Sequence, residues 1–332
     1  MIRNKTILIA GAGGFIGGHL VKRLIEHNKI IAVDIKPLNK WFQKFPKAKN
    51  LSLDLKNKSS CLKVTKKTDF VFNLACNMGG MGFIENNKAE CMLSVLINTN
   101  LLEASRINEV SKFFFASSAC VYNAGKQNKT FIKGLKEKDA YPADPEDGYG
   151  WEKLFSERMC RHFYEDFGLE TRIARFHNIY GPYGTYDGGR EKAPAAMSRK
   201  IANIFLNKSK NIEVWGDGKQ TRSFLYIDDC IEGSLRLFKS NYREPVNIGS
   251  DEQVSINQLI KIIQNKSKIK SLKIQYNLNK PLGVRGRSSD NTLCKQVLKW
   301  EYRISLNKGL GKTYNWILSD MKKRTRPNKF SS

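Results

Sequence analysis

A doubly wound parallel α/β sheet with helices on both faces is the fold this sequence predicts, and three observations predict it. Short apolar runs alternate with amphipathic segments through the first half of the chain, the pattern of strands joined by crossover helices. A glycine-rich turn, GAGGFIGG, lies between the first run and the first helical segment. Asp34 closes the second run about 20 residues after that turn, the spacing of a dinucleotide-binding unit.

TILIAG reads as the first strand. Ile16, Leu20, Val21, Leu24 and Ile25 then recur at helical spacing, so the glycines open an amphipathic helix. IIAVD, LSLDL, DFVFNLA and KFFFASSACVY read as strands two to five, with a helix around residues 92–106. A further helix runs from Tyr149 to about residue 167, followed by the strand TRIARFHNIYG. The remainder is mixed α/β: helices near 194–206, 228–238, 255–264 and 308–322 alternate with short strands such as IEVWG and PVNIG. This organisation predicts a Rossmann-type domain over residues 1–175. A smaller substrate-binding region over 176–325 interleaves with it, and a frayed basic tail covers 326–332.

Composition narrows the function classes. The 332 residues carry a net charge of +26, but the lysines are spread over most of the chain. There is no basic helix and no basic platform interleaved with aromatics, so a specific nucleic-acid partner is not expected; the positive field suits an anionic substrate. No apolar stretch approaches the roughly 20 residues of a membrane span, and no leader is read at the start, so a soluble, cytoplasmic protein is expected. Seven cysteines, with no CxxC pair, indicate neither a disulfide framework nor a zinc site, and four histidines argue against a metal centre.

Gly11, Gly14 and Gly17 permit a tight turn and close backbone approach, and Phe15 and Ile16 open the helix whose N-terminus would face a pyrophosphate. A carboxylate at Asp34 would bind ribose hydroxyls and repel a 2′-phosphate, which favours NAD over NADP; Asp54 is a second candidate, for the adenine side. YGWEK places Tyr149 and Lys153 four apart on one helix face. An ammonium beside a phenol favours the phenolate, which makes Tyr149 a base for a substrate hydroxyl. In ASSACVY, Ser118 and Cys120 stand at i and i+2 of the fifth strand, so both would point from one face at its carboxyl end. A free cysteine there is either filler or a proton-transfer group.

Taken in this order, the dinucleotide turn, the Ser118 strand and the Tyr-x-x-x-Lys helix resemble the extended short-chain dehydrogenase/reductase superfamily over residues 5–322. The resemblance implies that Ser118, Tyr149 and Lys153 carry out hydride chemistry on a nucleotide-sugar hydroxyl. In the sugar 4,6-dehydratases of that superfamily, a Glu that removes the C5 proton stands where Cys120 stands here. The logic is direct: once C4 is a ketone, the C3 and C5 hydrogens are acidic. A thiol can act as base there if a nearby positive charge favours its thiolate. Inversion also needs a proton donor on the opposite face, and Lys192 in GGREKAPAA supplies one.

The blocks NMGGMGFI, FFFASSACVY, RFHNIYGPYGT, GGREKAPAA, WGDGKQTRSF and GVRGRSSDN together are similar to the GDP-mannose 3,5-epimerase family. That similarity implies Cys120 and Lys192 as the acid/base pair. It also implies GDP-sugar contacts from Gly79, Ser118, Asn178, Glu191, Ala193, Lys200, Gln220, Thr221, Arg222 and Arg287, and a homodimer. Arginine suits a diphosphate because its planar fork donates twice. The expected reaction is C3 and C5 inversion of GDP-mannose to GDP-L-galactose, with GDP-L-gulose from C5 inversion alone. The chain departs from the family at Asn77 (usually Asp), at Trp151 (usually Leu) and over 123–138. Rival readings are a nucleotide-sugar 4-epimerase, a 4,6-dehydratase, or a dinucleotide-binding sensor without catalysis. The absence of Glu at 120 argues against the dehydratase, the Cys and Lys pair exceeds what a 4-epimerase needs, and retention of Tyr149 and Lys153 argues against the sensor.

Overall fold

Ile7, Leu8 and Ile9 are consecutive and all fully buried, as a strand with both faces covered requires. In the computed structural model, which describes residues 2–324, they lie in β1 (Thr6–Ala10). The chain continues through α1 (Phe15–Leu24), β2 (Lys29–Asp34), β3 (Lys49–Ser52), α2 (Lys58–Thr65), β4 (Phe70–Asn73), α3 (Met81–Asn86), α4 (Lys88–Met92), α5 (Ser94–Ile107) and β5 (Lys112–Ser118). Then come α6 (Asp147–Phe167), β6 (Glu170–Phe176), β7 (Ile179–Tyr180), α7 (Ala193–Asn207), β8 (Asn211–Trp215), β9 (Thr221–Ser223), β10 (Leu225–Tyr226) and α8 (Ile227–Lys239). β11 (Val246–Ile248), β12 (Gln253–Ser255), α9 (Ile256–Ser267), β13 (Lys273–Asn277), β14 (Gly286–Arg287), α10 (Thr292–Leu298) and α11 (Leu306–Arg324) complete it.

Seven parallel strands form the main sheet in the order β11-β6-β5-β4-β1-β2-β3. Alternate residues of each strand feed two core layers: Ile7, Ile9, Phe72 and Phe114 face one way, Leu8, Ala10, Val71 and Phe113 the other. The strand order reverses at β1, between β2 and β4, and the carboxyl ends there open the crevice where doubly wound sheets bind ligands. β11, from the second half of the chain, pairs with β6 at the edge of this same sheet. A small sheet, β12-β9-β14, stands over the crevice and sets Arg222 opposite Arg287.

Two local expectations are corrected. β5 stops at Ser118, and Cys120 lies in a single 3-10 turn over Ala119–Val121; Ser118 caps this turn, its Oγ accepting from the Cys120 N–H at 3.2 Å. The pairing of β5 with β6 ends at Ser118 and Phe176, so no ladder holds the chain extended beyond it. The run TRIARFHNIYG splits into β6 and β7 because Asn178 takes a left-handed backbone (φ 45°) and its side chain donates to the Ser223 carbonyl. The basic end is helical through Arg324, where Arg324 pairs with Asp320 at 2.8 Å; the expected frayed tail over 326–332 lies outside the described residues. Among the described residues no helix is long and apolar enough to cross a membrane.

Candidate active site

The cofactor end is built from backbone. Gly11 has φ +81°, and a Cβ on it would meet the Leu74 carbonyl at 2.8 Å. A Cβ on Gly17 would sit 2.2 Å from the Gly11 oxygen. Gly14 caps α1 with no side-chain hydrogen bond, so the N–H groups opening this helix, those of Phe15 and Ile16 among them, are not met by a capping side chain. Asp34 ends β2, buried, with one carboxylate oxygen taken by the Lys36 N–H at 3.0 Å. Lys36 itself reaches the Gly13 carbonyl at 3.4 Å. Asp54 lies past the end of β3 in the next turn, accepting from the Lys56 N–H. A cradle that any side chain would fill, an open helix N-terminus and a buried carboxylate at the end of β2 fit NAD.

The second end is built from side chains. Cys120, Tyr149, Cys91 and Ile84 form one buried cluster with Cys76, Met78 and Phe83 against it. Tyr149 and Lys153 project from α6, whose first turn is bent at Gly148; a Cβ there would strike the Lys88 backbone. Lys153 is 2 % exposed, its ammonium 3.4 Å from Glu152 and 4.8 Å from the Phe115 ring centroid. Burial works against that charge, but Cys76 and Glu152 outweigh it and raise the Lys153 pKa. Burial also pushes the Tyr149 phenol well up, and Cys76 and Cys120 add to this.

Cys120 is 8 % exposed, and its sulfur accepts a hydrogen bond from Arg287 Nη1 at 3.5 Å. The required positive charge is present, yet the thiol is pushed up to about 11 by burial first and by the Glu146 carboxylate second. Lys192, half-buried at the N-terminus of α7, is shifted the opposite way: burial lowers it toward the neutral amine. Burial therefore shifts the thiol and the amine in opposite directions.

The remaining candidates fall into two groups. Arg222 and Arg287 line the pocket side by side, and burial with the neighbouring Arg287 lowers Arg222 to about 10. Gly79 packs against Phe83, Asn178 bends the chain below β9, and Thr221 is held by Gln253 Nε2 at 2.8 Å. Glu191 and Gln220 each keep one buried side-chain oxygen without a hydrogen-bond donor among the described residues, their other groups being taken by Arg199 and by the Trp215 carbonyl. Ala193 opens α7 beside Lys192. Lys200 is not turned inward; it donates to the Glu213 carbonyl at 2.8 Å.

Three residues escaped the sequence reading. Cys76 follows β4 directly, and its place at the carboxyl end of a central strand was the available signal. Gln127, fully buried, accepts from Arg287 Nε at 2.7 Å, and Glu146 accepts from Arg287 Nη1 at 3.1 Å. Nothing local in the sequence marks either one.

This geometry defines a nucleotide-sugar enzyme of the dinucleotide-dependent class, and the chain belongs to the NAD dependent epimerase/dehydratase family, whose pattern matches residues 7–249. Its relatives narrow the class. It is 51 % identical to GDP-mannose 3,5-epimerase 1 of Oryza sativa subsp. indica over 96 % of this chain and 82 % of that protein. It is 49 % identical to GDP-mannose 3,5-epimerase of Arabidopsis thaliana over 96 % of this chain and 84 % of that one. Among solved structures, UDP-glucuronic acid 4-epimerase from Bacillus cereus, in complex with UDP-glucuronic acid and NAD, superposes with a TM-score of 0.80 at 25 % identity, covering 95 % of this chain and 99 % of that one.

Proposed function

We propose that this chain is an NAD-dependent epimerase that inverts C3 and C5 of GDP-mannose, giving GDP-L-galactose, with GDP-L-gulose after C5 inversion alone. The observation that carries the reading is the meeting of Cys120, Lys192, Tyr149 and the Arg222 and Arg287 pair at the carboxyl edge of the sheet. The 51 % identity to a GDP-mannose 3,5-epimerase supports the choice of sugar.

Gly11, Gly14 and Gly17, the first turn of α1 and Asp34 would hold the dinucleotide, which would supply reversible hydride acceptance at C4 of the sugar. Tyr149 takes the C4 hydroxyl proton, with Ser118 as its hydrogen-bonding neighbour and Lys153 supplying positive charge behind it. Cys120 and Lys192 exchange protons with C5 and C3 from opposite sides. Burial of the pocket excludes water, which protects the ketone from side reactions. Both arginines are held within the protein before any diphosphate binds, Arg222 by the Thr221 and Leu282 carbonyls and Arg287 by Gln127, Cys120 and Glu146.

A homodimer belongs to the same proposal. Leu93 and Leu96 at the start of α5 and Trp151 and Phe155 on α6 are exposed on adjoining helices, an apolar surface suited to a second copy. All seven cysteines are free thiols, which suits a reducing cytoplasm. The test is incubation with GDP-mannose and NAD in D₂O, with the product identified by NMR. The expected result is GDP-L-galactose carrying deuterium at C3 and C5. A C4 epimer or a 4-keto-6-deoxy sugar would overturn the reading.

A further inference from the structure

Glu146 is the residue immediately before α6, three positions ahead of Tyr149. Its backbone is stitched to the Cys120 turn: the Glu146 N–H donates to the Cys120 carbonyl at 3.0 Å, and the Gly150 N–H donates to the Glu146 carbonyl at 2.6 Å. A Cβ at position 150 would lie 2.4 Å from the Cys120 oxygen, so the two segments are pressed together there. The side chain, 11 % exposed, accepts from Arg287 Nη1 at 3.1 Å through Oε2, while Oε1 is buried without a hydrogen-bond donor among the described residues. The same Nη1 donates to the Cys120 sulfur. A carboxylate, a guanidinium and a thiol therefore share one hydrogen-bonding centre, and Gln127 fixes the guanidinium from its far side.

We infer that Glu146 is a positioning residue for proton transfer: its carboxylate holds the Arg287 guanidinium against the Cys120 sulfur and offsets that positive charge at the thiol. The inference rests on the reading of Cys120 as the group that moves carbon-bound protons. Without Glu146, Cys120 would face a net cationic wall made of Arg287 and Arg222, with Lys192, Tyr149 and Ser118 as its other polar neighbours. With Glu146 present, one of those two positive charges is offset, which favours the protonated thiol. Cys120 and Lys192 work as a pair: one takes the proton from carbon on its face, and the other gives a proton to the enolate carbon on the opposite face. The first then loses its proton to water and the second regains one from water, which is how solvent deuterium enters the sugar.

The test is alkylation of the full-length chain by iodoacetamide, without substrate, followed as mass gain on the Cys120 peptide across pH. Only the thiolate reacts, so below its midpoint the rate measures the thiolate fraction. Glu146→Gln is nearly isosteric and should raise the Cys120 rate at pH 8 about tenfold, one unit in midpoint. Glu146→Asp, which keeps the charge, should restore the wild-type profile. The buried Cys61 and Cys160 serve as folding controls and should stay at their wild-type rates. An unchanged or slower Cys120 rate in a folded Glu146→Gln protein overturns the inference. If that variant does not fold, Arg287→Gln decides instead: the Cys120 rate should fall, and an unchanged rate is equally fatal. No substrate is used, so the outcome is independent of the sugar, which the product NMR above decides separately.

Discussion

The glycine turn after β1 and the Cys120 turn after β5 both lie at the carboxyl edge of the main sheet, but they are fixed in different ways. The first is a cradle of backbone: a Cβ on Gly17 would strike the Gly11 carbonyl, and one on Gly11 would strike the Leu74 carbonyl after β4. The second is a set of side chains from widely separated places. Cys120 comes from the end of β5, Tyr149 from α6, Lys192 from before α7, and Arg287 from β14. A cradle fails when a single atom is added, whereas a side-chain pocket fails when one charge is misplaced. The two regions should therefore respond to different substitutions.

The largest expected effects lie in the side-chain pocket. Tyr149→Phe should lose both C4 oxidation and deuterium exchange, because without a ketone there is no acidic α-hydrogen. Cys120→Ala should keep the oxidation and lose C3 and C5 exchange by about 10²–10⁴-fold, the usual contribution of a general acid or base. Mass spectrometry of sugar recovered from D₂O reads both. Exchange at the wild-type rate in Cys120→Ala would make this cysteine packing and move the proton donor elsewhere.

The cradle is broken differently. In Gly17→Ala the new Cβ would sit 2.2 Å from the Gly11 oxygen and 2.8 Å from the Ala12 Cα, so the helix must move off the turn. Overpacking of this kind costs about 1–3 kcal/mol, or roughly 5- to 150-fold in NAD affinity, with GDP-mannose affinity held. Separate titrations of the two ligands check it. Equal losses for both would mean that the two ends are not independent.

What the sequence made legible follows the same division. The glycine spacing and Asp34 are local, and the cradle appeared where they indicated. Tyr149 and Lys153 were also legible, because helical spacing fixes their relation. The Cys120 turn was placed on the right segment but in the wrong conformation, since the i and i+2 argument assumes a ladder that stops at Ser118. Its charge environment was not legible at all. Glu146 and Gln127 matter only because Arg287, far along the chain, folds back onto them, and no periodicity in the sequence records that contact. The opposed shifts of Cys120 and Lys192 have the same origin: burial, a property of the assembled pocket, leads both.

The seam between the two regions offers a pH test. His177, at the end of β6, is fully buried, with Nε2 2.8 Å from the Asn247 oxygen and Nδ1 without a partner among the described residues. Burial lowers its pKa from 6.5 to about 3, with Arg287 and Arg175 contributing. The unfolded chain therefore binds a proton that the folded chain refuses between these values. Stability from this group is complete above about pH 6.5 and is lost as pH falls toward 3, at about 1.4 kcal/mol per unit. Urea unfolding at pH 5 and 6 should show His177→Asn losing less per unit than the wild type by about that amount. Parallel slopes would mean that His177 titrates normally.

The smallest effect concerns the rim of the sugar side, where the chain carries Asn77 and the family usually carries Asp. Arg190 Nη1 donates to Asn77 Oδ1 at 2.8 Å, and its guanidinium lies 3.9 Å from the Phe83 ring centroid. The Gly80 N–H also donates to the Arg190 carbonyl at 3.1 Å, so the loop before α7 is clasped onto the loop before α3. Phe83 belongs to the cluster around Cys120 and Tyr149, which ties the clasp to the pocket without placing Arg190 in it. Asn77→Asp turns a neutral hydrogen bond into an exposed ion pair worth about 0–1 kcal/mol. The KM for GDP-mannose should then fall by less than about fivefold at low salt. The gain should shrink as salt screens the pair, the Debye length being about 10 Å at 0.1 M. A gain that persists at high salt would point to a direct contact between residue 77 and the sugar, and no change at either salt would show that the clasp does not limit binding.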